Sequence, residues 1–296
     1  MATTRIATTA AHFGRDMVAG LTRIEGIVRR ARAEGADVLV LPHAALGGYL
    51  GGLAAPDPLG PPPALHRDDP VFARITVEVG PMVTVLGLTE RRDDGEVSSA
   101  AVCLSGDGVL GWHRKVHLPP GEAALHLPGD GFAALDTPVG RLGMLIDYDK
   151  AFPESTRCLA LDGATLITCP SAWPASVTRR ASSLVNDRQT RLFDLYDVAR
   201  AAENQVVLAS ANLTGTTGGL TFLGSAKVVD PGGAVLCRTG SKAGLVWADV
   251  DIAGSVAEAR RVLDHLAERR VDAYAQCTVK PQTVDSASWR AGSDLS

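Results

Sequence analysis

The run Ala36-Asp-Val-Leu-Val-Leu-Pro42 constrains the fold more than any other feature of this chain. It is apolar on consecutive residues, too short for a helix, and closed by proline. A strand of that pattern is buried on both faces, which requires packed layers above and below its sheet. An amphipathic stretch precedes it. From Gly14 to Glu34, the residues Met17, Leu21, Ile24, Val28 and Ala31 recur at helical spacing. Arg5 to Ala11 reads as a strand before that. Strand, helix and buried strand in succession predict an α/β layered fold.

The rest of the chain repeats these units. Residues 51–70 are rich in Pro and Gly and predict a surface loop able to cover a site. Val71–Val79 reads as a weak helix. Thr84–Thr89, Ser98–Leu104 and Gly108–Trp112 read as strands, the last two joined at Gly106-Asp-Gly. Phe132–Leu135 and Arg141–Ile146 form a further pair. Pro153–Leu161 opens a helix on proline, and Thr165–Cys169 is a buried strand. Asn186–Glu203 is a clear second amphipathic helix. Val206–Ser210, Ser225–Val229, Ala234–Arg238 and Leu245–Val250 complete the strands, with a tight turn at Asp230-Pro-Gly-Gly233. Ser255–Arg269 predicts a last helix. No repeat or linker divides the chain, so one domain is expected over residues 1–270. The polar tail 271–296 is expected to wrap a neighbouring copy.

Charge and cysteine usage narrow the function classes. The formal net charge is −4 and no Lys/Arg stripe appears, which argues against nucleic acid and acidic membrane surfaces as partners. No apolar run approaches membrane-spanning length, and no signal peptide is evident, so a cytoplasmic protein is expected. The five cysteines (Cys103, Cys158, Cys169, Cys237 and Cys277) are odd in number and contain no CxxC pair. That argues against a disulfide framework or a zinc knuckle.

Several local words, in order, are more specific. They are Ala36–Pro42 followed by Gly48-Tyr49, and Arg114-Lys115-Val-His-Leu118 followed by Glu122 and Pro128-Gly129. Next come Gly143-Met-Leu-Ile-Asp147-Tyr-Asp149 with Phe152-Pro-Glu154 and Arg157, and then Pro170-Ser-Ala-Trp173. Arg200-Ala-Ala-Glu-Asn204, Ala211-Asn212, Phe222-Leu-Gly-Ser225 and Asp230-Pro-Gly232 close the set. Over nearly the whole chain this series resembles the nitrilase superfamily of carbon–nitrogen hydrolases. The resemblance implies a four-layer αββα sandwich with two central mixed sheets, a homodimer or higher oligomer, and hydrolysis of nitriles, amides or carbamoyl groups. It also implies a catalytic glutamate, lysine and cysteine with a second glutamate nearby.

Laid on that pattern, His43 stands at the glutamate position and Asp147 at the cysteine position, while Lys115 and Glu122 match. A carboxylate is a poor nucleophile toward an unactivated amide, so the thioester route is expected to be lost. The formal charge of the site is conserved, and Lys115 keeps an anionic partner able to hold it protonated. His43, with an ordinary pKa near 6.5, is then the expected proton shuttle. Lys115 is the expected electrostatic stabiliser, Asp147 a second acid–base group or anchor, and Glu122 an orienter.

The preferred reading is a repurposed acid–base enzyme. It would cyclise, isomerise, hydrate or eliminate on a small polar substrate, without a cofactor. The alternatives are a ligand-binding or assembly pseudoenzyme, and residual hydrolysis through Asp147 or a displaced Cys169. Tyr49, Tyr148, Trp173 and Cys169 are candidate pocket residues. A metal site of His43, Asp147 and Glu122 is disfavoured by the Lys115 cation among them. His113, His117 and His126 cluster near Lys115 and read as ordinary surface or strand histidines near the rim. Asp149, Glu154 and Arg157 read as scaffold ion-pair or capping groups.

Overall fold

The structure, a computed structural model, describes residues 3–53 and 57–277. The first half of the chain contains strand β1 (Thr4–Ala11), helix α1 (Met17–Ala33), β2 (Val38–Val40), α2 (Pro70–Val79), β3 (Val83–Arg91), β4 (Val97–Ser105), β5 (Gly108–Arg114) and a short α3 (Pro120–Ala123). The second half begins with β6 (Leu135–Thr137), β7 (Gly140–Met144), α4 (Pro153–Leu161), β8 (Leu166–Ser171) and α5 (Arg188–Asn204). It continues with β9 (Val207–Thr217), β10 (Leu220–Leu223), β11 (Lys227–Val229), β12 (Val235–Arg238), β13 (Gly244–Val250) and α6 (Ile252–Arg260).

Hydrogen bonding runs β5-β4-β3-β2-β1-β9-β8-β7-β6, with β13 on the other flank of β1 and β11 on β9. β1, β2 and β3 are parallel, as are β7, β8 and β9. β4, β5, β11 and β13 pair antiparallel, which makes the sheet mixed. β1 and β9 meet over the two pairs Ala10–Asn212 and Ala11–Leu213. Across this narrow seam the two halves fold face to face.

Alternation along each strand feeds two layers. Val38, Val40, Val83 and Val85 of the first half meet Leu142, Met144, Leu166 and Val207 of the second. One residue along, Leu39, Leu86 and Val102 pack against Ile24 and Val28 of α1 and Phe72 and Ile75 of α2. On the opposite outer face, Ile167 and Leu208 meet Leu159 of α4 and Ala201 of α5. The result is the expected αββα sandwich. Burying one such aliphatic side chain stabilises by ~1.5–3 kcal/mol, well above the differences in helix and strand propensity. Two-sided burial therefore decides the strand state of these runs.

The helices start where side chains cap them. Asp16 accepts from the Val18 and Ala19 N–H groups, and Asp69 from Val71 ahead of a proline in the first turn. Asp251 caps α6, which ends at Arg260, short of the expected Arg269. β9 continues past the expected end at Ser210 to Thr217, because β10 pairs with its far end. Residues 271–277 form a 3-10 helix, and the remainder of the expected wrapping tail lies outside the described residues. No described helix is long and apolar enough to cross a membrane.

Candidate active site

Three chain segments meet beyond the strand ends. β2 gives way to Pro42 and His43, and Ala44 turns the chain through the left-handed region (φ 58°) toward Tyr49. His43 lies across β3 so closely that a Cβ on Gly87 would sit 2.6 Å from its Cα. β5 delivers Lys115, whose backbone N–H is tied to the Ser99 carbonyl at 2.8 Å, and α3 brings Glu122. Beyond β7, Asp147 opens a 3-10 turn (Asp147–Ala151) at φ 45°.

Asp149 locks the second and third segments together. Its carboxylate accepts from the Ile146, Val116 and His117 backbone N–H groups at 3.1, 3.2 and 2.9 Å. The His113 and His117 rings contact it at 3.3 and 3.0 Å. Burial opposes its charge, but these partners more than offset burial and hold it well below the usual carboxylate range.

Lys115 sits between two carboxylates and is fully buried. Its Nζ lies 2.6 Å from Glu122 Oε1 and 3.4 Å from Asp147 Oδ2. Burial works against the ammonium, yet the two anions outweigh it and raise its pKa. Glu122 also accepts from the Tyr49 hydroxyl and, at 2.9 Å, from Ser99 Oγ. Despite burial, Lys115 and the Tyr49 hydroxyl hold Glu122 down to about 2. Asp147 is held by the Ala172 N–H and the longer Lys115 contact. There burial wins, and its pKa rises to about 6. One cation cannot fully satisfy two buried carboxylates, and the better-bonded one keeps its charge.

A cavity of about 600 Å³ opens over this group. Its floor is formed by Tyr49, Lys115, Asp147 and Ala172, and its walls include Tyr148 and Trp173. The Trp173 indole N–H donates to Gln189 Oε1 at 3.0 Å. Glu122 and His43, 0% and 2% exposed, lie behind the floor. Among the described residues, no group of three or more His, Cys, Asp or Glu side chains is arranged to hold a metal ion.

The carbon-nitrogen hydrolase family model matches residues 6–261. The chain belongs to the carbon-nitrogen hydrolase family. It is 29% identical over 285 residues to an omega-amidase of Bos taurus, covering 93% of this chain and 98% of that one. It is 30% identical over 248 residues to an (R)-stereoselective amidase of a Pseudomonas species, covering 83% and 84%. A carbon-nitrogen hydrolase structure from Helicobacter pylori superposes with a TM-score of 0.81 at 24% identity, covering 94% of this chain and 99% of that one. An amidase from a Nesterenkonia species gives 0.74 at 27% identity, covering 93% and 96%.

In this member of the carbon-nitrogen hydrolase family three expectations are corrected. His43 does not titrate near neutrality. Burial, then Lys115, push it down to about 3, and its Nδ1 has no hydrogen-bond partner among the described residues. Its ring packs edge-on behind Tyr49, 5.9 Å between centroids. The group poised near neutrality is Asp147 instead. Cys169 is not a pocket residue: strand parity turns it into the outer apolar layer with Ala160, Ile167 and Leu208, and burial raises its thiol to about 12. His126 is buried rather than at the rim, and burial lowers it to about 4.

Sequence reasoning missed a second buried cluster. Lys150 Nζ and Lys227 Nζ each contact Asp197 at 2.7 Å, and all three residues are 0% exposed. The two ammoniums flank the Phe193 ring at 3.2 and 4.1 Å from its centroid. These residues come from three distant segments and share no motif.

Proposed function

We propose that this chain is an acid–base enzyme that carries out proton transfer on a small polar substrate without a thiol nucleophile. The observation that carries this reading is Asp147, a carboxyl with its pKa raised to about 6, on the floor of an open cavity beside the Lys115 ammonium. A general base is most effective when its pKa lies near the working pH. The resemblance sets Asp147 at the nucleophile position, where one Nesterenkonia amidase carries the acetamide moiety of fluoroacetamide on its active-site cysteine. A carboxylate there favours taking a proton over attacking an amide carbon.

In the proposed step the Asp147 carboxylate takes a proton from the carbon next to a carbonyl or imine group. The C–H electron pair moves onto that group's oxygen or nitrogen, where Lys115 stabilises the developing negative charge. Glu122, with Tyr49 and Ser99, keeps Lys115 protonated and aimed. Return of the proton from Asp147 to a different atom completes an isomerisation. Loss of a leaving group from the anion completes an elimination.

Solvent deuterium incorporation tests this before the product is known. A panel of small amides, carboxylates and imines is incubated in D2O, and C–H exchange is read by NMR. Exchange should occur on at least one class and fall roughly 100-fold or more in Asp147→Asn. Exchange that survives the substitution would remove Asp147 from the mechanism. Hydrolysed product with a covalent adduct in the mass spectrum would replace proton transfer with residual hydrolysis.

A second reading is a ligand-binding pseudoenzyme. It draws on His43, which at the position of the family's base is neutral and set behind the cavity floor. Binding without exchange across the panel would favour it. Homodimerisation belongs to the same proposal. Exposed Leu195 on α5 and exposed Val262, Leu263 and Val271 offer apolar surface for a second copy, and sedimentation velocity tests that.

A further inference from the structure

We propose that the cavity selects a small substrate bearing a carboxylate, which Arg179 and Arg188 grip at the mouth while the reacting end lies on Asp147. This deepens the acid–base reading and rests on the same cavity being a substrate site.

The charges lining the cavity carry the argument. Three cationic side chains (Lys115, Arg179 and Arg188) face it against a single carboxylate, Asp147. The chain as a whole has a formal charge of −4, so this concentration of positive charge runs against the average. Lys115 is already committed to Glu122 behind the floor. Arg179 and Arg188 are exposed, and among the described residues neither forms an ion pair. Two uncommitted guanidiniums at the opening of a largely apolar cavity raise the local concentration of anions. They also offer planar donor pairs that match a carboxylate.

The segment bearing them is pinned in place. Asp187, 0% exposed, accepts from Ser176 N–H and Oγ and from Gln189 N–H at 3.0, 2.8 and 2.9 Å, and from Ala181 N–H at 3.1 Å. These bonds tie the loop that carries Arg179 to the first turn of α5, which carries Arg188. Arg179 itself is held in the left-handed region at φ 55°, a conformation that costs a residue with a Cβ some stability. Asp187 remains an anion, but these donors occupy its oxygens, and among the described residues it forms no ion pair with either arginine. A fixed double-arginine mouth discriminates by distance as well as charge, since the carboxylate and the reacting group must span the cavity together.

Binding decides the matter without requiring turnover. Straight-chain monoamides of dicarboxylic acids, four to seven carbons long, are compared with their methyl esters by calorimetry at low salt. The acids should bind about tenfold more tightly, with one chain length preferred, and the preference should shrink as salt rises. Arg179→Gln and Arg188→Gln should each weaken the acid about fivefold and leave the ester unchanged. The double variant should erase the preference, and unchanged far-UV circular dichroism would show that the loop still folds. Phosphomonoesters of the same lengths form the other arm, and tighter binding of these than of the carboxylates would overturn the carboxylate assignment. Equal binding of acid and ester, or binding of neither, would overturn the proposal. Selective acid binding without deuterium exchange would leave the anion site standing and remove only the acid–base reading. Exchange on neutral amides with no acid preference would do the reverse.

Discussion

Asp147 and Lys150 occupy the same 3-10 turn yet belong to different buried charge clusters. The first cluster joins Lys115, Glu122 and Asp147 under an open cavity. The second joins Lys150, Lys227 and Asp197 around the Phe193 ring, with Asp194 reaching Lys227 at 3.2 Å. In the closed cluster two lysines share Asp197, Asp194 is divided between Lys227 and the exposed Arg238, and Asp197 is held below its ordinary pKa although burial opposes it. In the open cluster one lysine faces two carboxylates, and the less well bonded one is left able to pick up a proton near neutrality. Carboxylates fully paired with cations brace a fold. A surplus carboxylate in contact with a cavity can do chemistry.

The largest expected difference is in stability. Asp197→Ala strands the buried Lys150 ammonium and leaves Lys227 only the longer Asp194 contact, and should cost about 3–5 kcal/mol in chemical denaturation. A loss below about 1 kcal/mol would mean that water reaches the closed cluster, and the contrast would collapse.

Asp147→Asn should act in the opposite direction. A carboxyl whose pKa is raised on folding binds its proton more tightly in the folded state. Its favourable contribution is complete below its ordinary 3.8 and is lost as the pH rises through about 6. Asparagine has no such loss. The variant should match the native protein near pH 4 and exceed it above pH 6, by on the order of 1–3 kcal/mol. The same substitution should abolish deuterium exchange. Thermal melts across pH check the first effect, and a variant less stable at pH 8 would contradict the raised pKa.

A smaller effect separates His43 from Asp147. Exchange should rise through about pH 6 and level off above it, as Asp147 becomes ionised. His43→Gln should change the plateau about threefold or less and leave the inflection in place, because a group held near 3 does not titrate there. An inflection that moves with this substitution would return the proton shuttle to His43.

The contrast also marks how far the sequence could be read. Two-sided burial of residues 36–42 and the ordered family words carried the layered fold, because both are local. Lys115, Glu122 and Asp147 were legible as neighbours for the same reason. Which carboxylate keeps the proton was not legible, since it turns on contacts of 2.6 and 3.4 Å and on donors from Tyr49 and Ser99. His43 was misread because its ordinary pKa says nothing of burial. β10 escaped notice because Gly215-Thr-Thr-Gly-Gly219 resembles a loop until β9 pairs across it. Lys150, Asp197 and Lys227 meet only through tertiary packing, and no spacing announces them.

Cys169 offers the finest test of the boundary between the clusters. It lies two residues before Ser171, whose carbonyl accepts from the His43 N–H at 3.2 Å, yet its thiol is on the helix-facing side. The charges that act most on it are Lys150 and Asp197, ahead of Asp147. It therefore reports on the closed cluster and not on the cavity. A thiol raised to about 12 is almost wholly protonated at pH 8 and should not react with iodoacetamide. Exposed Cys158 should label under the same native conditions, which provides the internal control. Cys169→Ala should cost roughly 1 kcal/mol through lost packing and leave deuterium exchange unchanged. Labelling of Cys169 in the folded protein at a rate near that of Cys158 would show the closed cluster to be open. The distinction between a bracing cluster and a working one would then have to rest on carboxylate pairing alone.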